Sequence, residues 1–252
     1  MSFYSLPKAD REKLVLRIHD ALQSDIKAGG SKAFEKYFSD EDTYIRKAAY
    51  QNTGKIYSTN PILQKQILEM LGALMQSESV KVRQTVVNSA GEIGIKNFEP
   101  VEEFFHRGLT DAHHSVRNAV IGSLKKMGEK NPKPVLKFSE KYLHHPGKEI
   151  RREICHGLEL RGRTHPEEIL PLLQELEFDE TARVRNTLVH VLGQIAYKKG
   201  CLEKVIAHLK LWKNSELVKD ALEEILDVHI RYKNFSFLTH SEAKKYIEKN
   251  FS

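Results

Sequence analysis

The chain is poor in several features that would settle its class at once. It has two cysteines, Cys155 and Cys201, at no disulfide or metal spacing, which points to reduced thiols in a reducing compartment. No apolar run approaches the about 18 residues that a membrane span requires. The opening MSFYSLPKADREK lacks an apolar signal core, so a cytoplasmic, non-membrane location is expected. No nucleotide-binding glycine loop, nucleophile triad or metal motif occurs, which leaves most enzyme classes without support and implies no cofactor. The formal charge of +6 and pI near 9.1 fit a nucleic-acid partner, as they fit many other basic proteins.

What is present is a period. A valine or isoleucine followed by a basic residue returns at Arg46, Arg83, Arg117, Arg151, Arg185 and Lys219, spaced by 37, 34, 34, 34 and 34 residues. A fixed period of this size means stacked supersecondary units. Six positions earlier stand Asp40, Ser77, Asp111, His145, Asp179 and Lys213. The first three of these, with Asp179, are expected to cap helices, and Asn214 or Ser215 takes that part in the last unit. Each unit then reads as two helices, A and B. Pro61, Pro100, Pro132 and Pro166 stand in the first turn of four A helices, where a missing N–H costs nothing. Thr164 with Glu167, and Thr239 with Glu242, read as capping boxes. The organisation is one domain: a capping helix over 1–30, six repeats over 31–232, and a C-terminal cap over 233–252.

Counting from the basic residue as zero, positions −1, +3 and +7 form an apolar stripe on each B helix. Positions +1 and +5 hold Lys47, Asn118, Arg152 and Asn186, and Asn88, His156 and His190. This polar stripe is expected on a concave surface suited to a long partner. Off the ladder, Lys47, Lys55, Lys125, Lys126, Arg152 and Arg163 are the basic candidates for phosphate contact, with Lys198 and Lys199 beside them. Acidic residues crowd the last unit, so a basic track should fade toward the C-terminus.

The recurring basic residue, usually with a capping residue six before it, resembles HEAT repeats over roughly 31–232. That resemblance implies an all-α, right-handed superhelix of about six antiparallel helix pairs plus terminal helices. It also implies a structural ladder of Arg46, Arg83, Arg117, Arg151 and Arg185 with Asp40, Asp111 and Asp179. His145 and Lys213 interrupt the aspartate column. Within that class, RNTLVHVLGQIAYKKGCLEKVIAHLKLW and LTHSEAKKYIEKNF are similar to the bacterial HEAT-like DNA alkylation repair glycosylases. This branch implies duplex DNA held on the concave face and release of cationic alkylated purines, using tryptophans and a carboxylate in the cleft. The chain departs from it: Trp212 ends an A helix, and positions +1, +5 and +9 carry no aromatic residue.

The fourth B helix, EIRREICHGLELRGRTHPEE, breaks the pattern, with Arg161 where other units place Ile or Met. Local rule-breaking marks it as a candidate site. Arg152, Glu153, His156 and Glu159 are expected toward its exposed side, with Glu153 or Glu159 as a catalytic carboxylate. The plainer reading is a solvated face with internal ion pairs. His156 and His190 fall in adjacent units. Neighbouring helices lie about 8–10 Å apart, so no metal site is expected. Two functions remain: a monomer that holds duplex DNA, with or without 3-alkylpurine glycosylase activity, and a non-catalytic scaffold for a protein segment.

Overall fold

The computed structural model describes residues 2–251. It is built from α-helices and short 3-10 turns, with no strand among the described residues. The contacts divide the chain into two compact units, one ending at Asn131 and one beginning at Pro132.

In the first unit, α1 (Lys8–Ala28) ends at Gly29, whose φ of 67° is the left-handed cap glycine adopts without strain. Three helix pairs follow. The A helices are α2 (Lys32–Phe38), α4 (Gln64–Leu74) and α6 (Glu102–Thr110); the B helices are α3 (Thr43–Thr59), α5 (Val80–Gly94) and α7 (His114–Lys130). The B helices pack side by side, α3 on α5 and α5 on α7. In the second unit, α8 (Pro132–Glu140), α11 (Pro166–Gln174) and α13 (Leu202–Leu209) are A helices. The B positions hold α9 (Lys148–Gly157), α10 (Glu159–Gly162), α12 (Ala182–Ala196) and α14 (Ser215–Arg231), and α15 (His240–Asn250) packs against α13 and α14.

The apolar stripe is the core. Ala49, Val86, Val120, Ile154 and Leu188, all at +3, are fully enclosed. Pro61, Pro100, Pro132 and Pro166 each stand in the opening turn of an A segment; the first two make that turn 3-10. Thr239 and Glu242 form the expected capping box. No helix among the described residues is long and apolar enough to cross a membrane.

Asn214 caps the last B helix as expected, whereas the helices expected to start at Asp40, Ser77, Asp111 and Asp179 begin two residues later. The N-caps of the B helices are Asp42, Ser79, His113, Gly147, Thr181 and Asn214. Asp40, Ser77, Asp111 and Asp179 instead accept the N–H two residues on, at 2.8, 3.2, 2.8 and 2.9 Å. They shape the turn that delivers the chain to the cap. His145 does the same with a ring nitrogen, Nδ1 accepting from Gly147 N–H at 3.0 Å. Thr164 is not half of a capping box. It donates to the Arg161 carbonyl, and α11 begins after His165.

The ladder arginines are tied to the turns before their helices. Each places Nη1 on the carbonyl six residues earlier: Asp40, Ser77, Asp111, His145 and Asp179. Arg83 and Arg151 also reach the aspartate of the following repeat, Asp111 and Asp179. Burial raises both carboxyls, but the arginine hydrogen bonds and a turn N–H outweigh it and hold them below the usual range.

Candidate functional site

In the second unit the fourth B helix is broken. Leu158 caps α9 and precedes the single turn of α10. Glu153 and Glu159 do not face solvent, as the regular helix would have them; both are buried. Position +2 of each B helix holds Ala48, Thr85, Ala119, Glu153, Thr187 and Ala221. Small residues fill that column everywhere except at Glu153. Position +8 holds Gly54, Gly91, Lys125, Glu159, Gly193 and Asp227, and three of these are glycines. The glycines allow close approach: a Cβ on Gly91 would meet Ser123 Oγ at 2.5 Å, and one on Gly193 would meet Glu224 Cγ at 2.7 Å. Glu159 carries a carboxylate into such a position.

Both carboxylates are engaged. Arg152 donates to Glu149 at 3.0 Å and to Glu153 at 3.4 Å, and Arg183 bonds the other Glu149 oxygen at 3.1 Å. Arg163 donates to Glu159 Oε1 at 2.5 Å and to Gln194 Oε1 at 2.6 Å, and its guanidinium lies 5.6 Å from the Tyr197 ring centre. Glu159 Oε2 faces His156 Nε2 at 3.1 Å and His190 Nε2 at 4.0 Å. On the other side of its ring, His190 Nδ1 stands 3.6 Å from Glu224 Oε1. The two imidazoles meet edge to face with centroids 5.7 Å apart. Interaxial distance alone treats them as separate. They meet because α12 approaches α9 and because Glu159 stands between them. Arg161, the other pattern-breaker, closes a two-point pair with Glu168 at 2.9 and 2.6 Å.

The remaining candidates are dispersed. Lys47, Lys55, Asn118 and Asn186 are exposed, whereas Asn88, Lys125 and Lys126 are half-buried. Lys126 pairs with Glu92. His113 and His145 hold turns through Nδ1, and His144 meets Glu175 at 2.8 Å.

The first unit contains an aromatic surface that the B-helix pattern does not disclose. Phe3, Tyr4 and Tyr44 cluster, with Tyr4 edge-on to Tyr44 at 4.3 Å and Phe3 stacked on Tyr44 at 6.2 Å. Phe3 N–H is anchored on Asp42 Oδ2 at 2.5 Å, and the Arg11 guanidinium lies 5.0 Å from the Tyr4 ring centre. These rings share a cavity of about 450 Å³ with Lys47, Gln51 and Lys55 of α3. Two of the aromatics precede the first helix, outside the columns read from the repeats; the Phe-Tyr pair before Leu6-Pro7 is the signal that could have shown them.

No protein-family model and no curated protein matches the chain. Solved structures do. AlkD2 from Streptococcus mutans superposes with a TM-score of 0.60 at 19% identity, over 79% of this chain and 97% of that one. The protein smu.31 from Streptococcus mutans UA159 gives 0.54 at 22% identity, over 68% and 89%. A TOG domain of crescerin follows at 0.49 and 17% identity, over 77% and 88%. The chain is an all-α protein of HEAT-like helical repeats and shares its fold with AlkD2 and smu.31.

Proposed function

We propose that the chain binds duplex DNA through phosphate contacts made by its B helices, with Lys47 and Lys55 of α3 as leading contacts. The observation that carries this reading is the composition of one surface. Two exposed lysines on the outward stripe of α3 share a cavity with Phe3, Tyr4 and Tyr44. Cations there neutralise phosphates, and ring faces offer apolar contact to the sugars between them. The ladder arginines take no part, because turn carbonyls hold them. Asn118 and Asn186 extend the polar stripe of α7 and α12. The fold likeness to AlkD2 and the sequence resemblance to the alkylation-repair branch favour DNA over other polyanions.

Binding is better supported than base excision. Glu153 and Glu159 are enclosed and bonded to arginines, so neither offers an open carboxylate to a sugar. A duplex titration at about 50 and 200 mM salt tests the reading. Two phosphate contacts predict a roughly tenfold loss of affinity across that interval. Release of alkylated purine from the same duplex would add glycosylase chemistry. Absence of binding at both salts would overturn the DNA reading and leave a scaffold for a protein segment.

A further inference from the structure

The geometry points to a divalent transition-metal site, of the class that takes Zn²⁺, built from His156 Nε2, Glu159 Oε2 and His190 Nε2. One ligand atom from each of the three residues lies within 4.8 Å of the others, and Glu159 Oε2 faces both Nε2 atoms. Ligand atoms on a tetrahedral zinc, with bonds of about 2.0–2.2 Å, stand about 3.3 Å apart. The His156–Glu159 separation of 3.1 Å already matches, and His190 at 4.0 Å needs only a small turn of a half-exposed side chain. Two imidazoles and one carboxylate are a recurrent donor set for metals that keep an open position. Both rings are partly open to solvent, which leaves room for a water as fourth ligand.

The surroundings are those a metal site uses. A ligating histidine commonly gives its second ring N–H to a carboxylate, which fixes the tautomer and the ring plane. Glu224 Oε1 stands 3.6 Å from His190 Nδ1, on the side away from Glu159. Ligating carboxylates are hydrogen-bonded in turn, and Arg163 holds Glu159 Oε1 while Oε2 faces the rings. Arg231 Nη2 bonds Glu224 Oε1, the same oxygen that stands near His190, at 2.5 Å. Gly193 lets α14 come close enough for Glu224 to reach the ring: a Cβ there would meet the Glu224 side chain. The site lies wholly within the second unit and does not depend on DNA.

The test is calorimetric titration of the chelator-treated full chain with Zn²⁺, and with Co²⁺ read by its visible absorption. One equivalent is expected to bind, with the intense visible band of four-coordinate cobalt. His156→Ala and His190→Ala, both at partly exposed positions, are expected to fold as the parent does by circular dichroism. Each should weaken binding by at least about 100-fold, and Glu224→Gln by about 10- to 100-fold. No binding at millimolar metal would overturn the site. So would either histidine variant binding as tightly as the parent, since the metal would then sit elsewhere. Unchanged affinity in Glu224→Gln would remove the orienting carboxylate from it.

Discussion

Arg83 and Asp111 stand 28 residues apart and close a two-point ion pair, Nε to Oδ2 at 2.7 Å and Nη2 to Oδ1 at 3.1 Å. The same arginine holds the carbonyl of Ser77 at 2.8 Å. Arg151 and Asp179 repeat the arrangement in the second unit. Asp179→Ala should therefore leave Arg151 half-buried with its turn contacts alone. A loss on the order of 2 kcal/mol is expected, below the ~3–5 kcal/mol of a fully buried pair. Urea denaturation of the variant beside Asp20→Ala, an exposed aspartate on α1, checks it. Equal midpoints would deny the pair a structural part.

Acid should remove the stabilisation that these pairs supply. Asp111 and Asp179 have folded-state pKa values below the usual carboxylate value, because the arginine bonds outweigh burial. The stabilisation is thus present above the unfolded value of about 3.9 and is lost as pH falls through the lower folded value. Denaturation midpoints measured from pH 6 to pH 3 should fall. The double variant Asp111→Asn/Asp179→Asn should start lower and fall less steeply. Parallel curves for the two proteins would exclude these carboxyls as the source.

Gly193→Ala tests the close approach of α12 and α14. The new methyl would meet Glu224 Cγ at 2.7 Å and Val228 Cγ2 at 3.1 Å. Overpacking of this kind costs about 1–3 kcal/mol. Gly122→Ala is the control, because nothing lies within 4 Å of its added Cβ and alanine favours helix by roughly 1 kcal/mol. The two substitutions should shift the thermal midpoint in opposite directions.

Lys47→Glu/Lys55→Glu should weaken duplex binding by roughly tenfold or more at about 50 mM salt. It should lower the salt slope by about 2. Asn186→Ala, an exposed and uncharged position, should leave the slope unchanged. A slope unaffected by the lysine pair would place the phosphate contacts elsewhere.

Neither thiol should react in the folded protein. Cys155 and Cys201 are both buried, and burial pushes each thiol above its ordinary pKa, so thiolate is scarce. Titration with a chromogenic disulfide should show no fast reaction without denaturant and two equivalents with it. A fast native reaction would mean that α9 or the segment around Cys201 opens readily.

The period carried most of the fold into view. Arg46 to Lys219 located the B helices, and the −1 and +3 columns identified the core, because a repeated helix must bury the same face each time. The helix starts were displaced because aspartate is equally suited to an N-cap and to the turn before it. Only the backbone decides between Asp40 and Asp42. The burial of Glu153 was readable in principle. Its column otherwise holds alanine and threonine, most of them buried. The proximity of His156 and His190 was not readable from the period, which gives their spacing along the chain but not the break at Leu158 or the carboxylate between them.

The arginine-to-carbonyl bonds have a consequence for the order of folding. Each spans six residues, from Arg46 to Asp40, Arg117 to Asp111 and Arg185 to Asp179. A loop this short closes quickly and at little entropic cost. Each turn that carries such an arginine can therefore be set before its neighbours arrive, and the 28-residue pairs join turns that are already shaped. A chain assembled this way has low contact order, and its repeats are expected to form rapidly and propagate from whichever pair nucleates first.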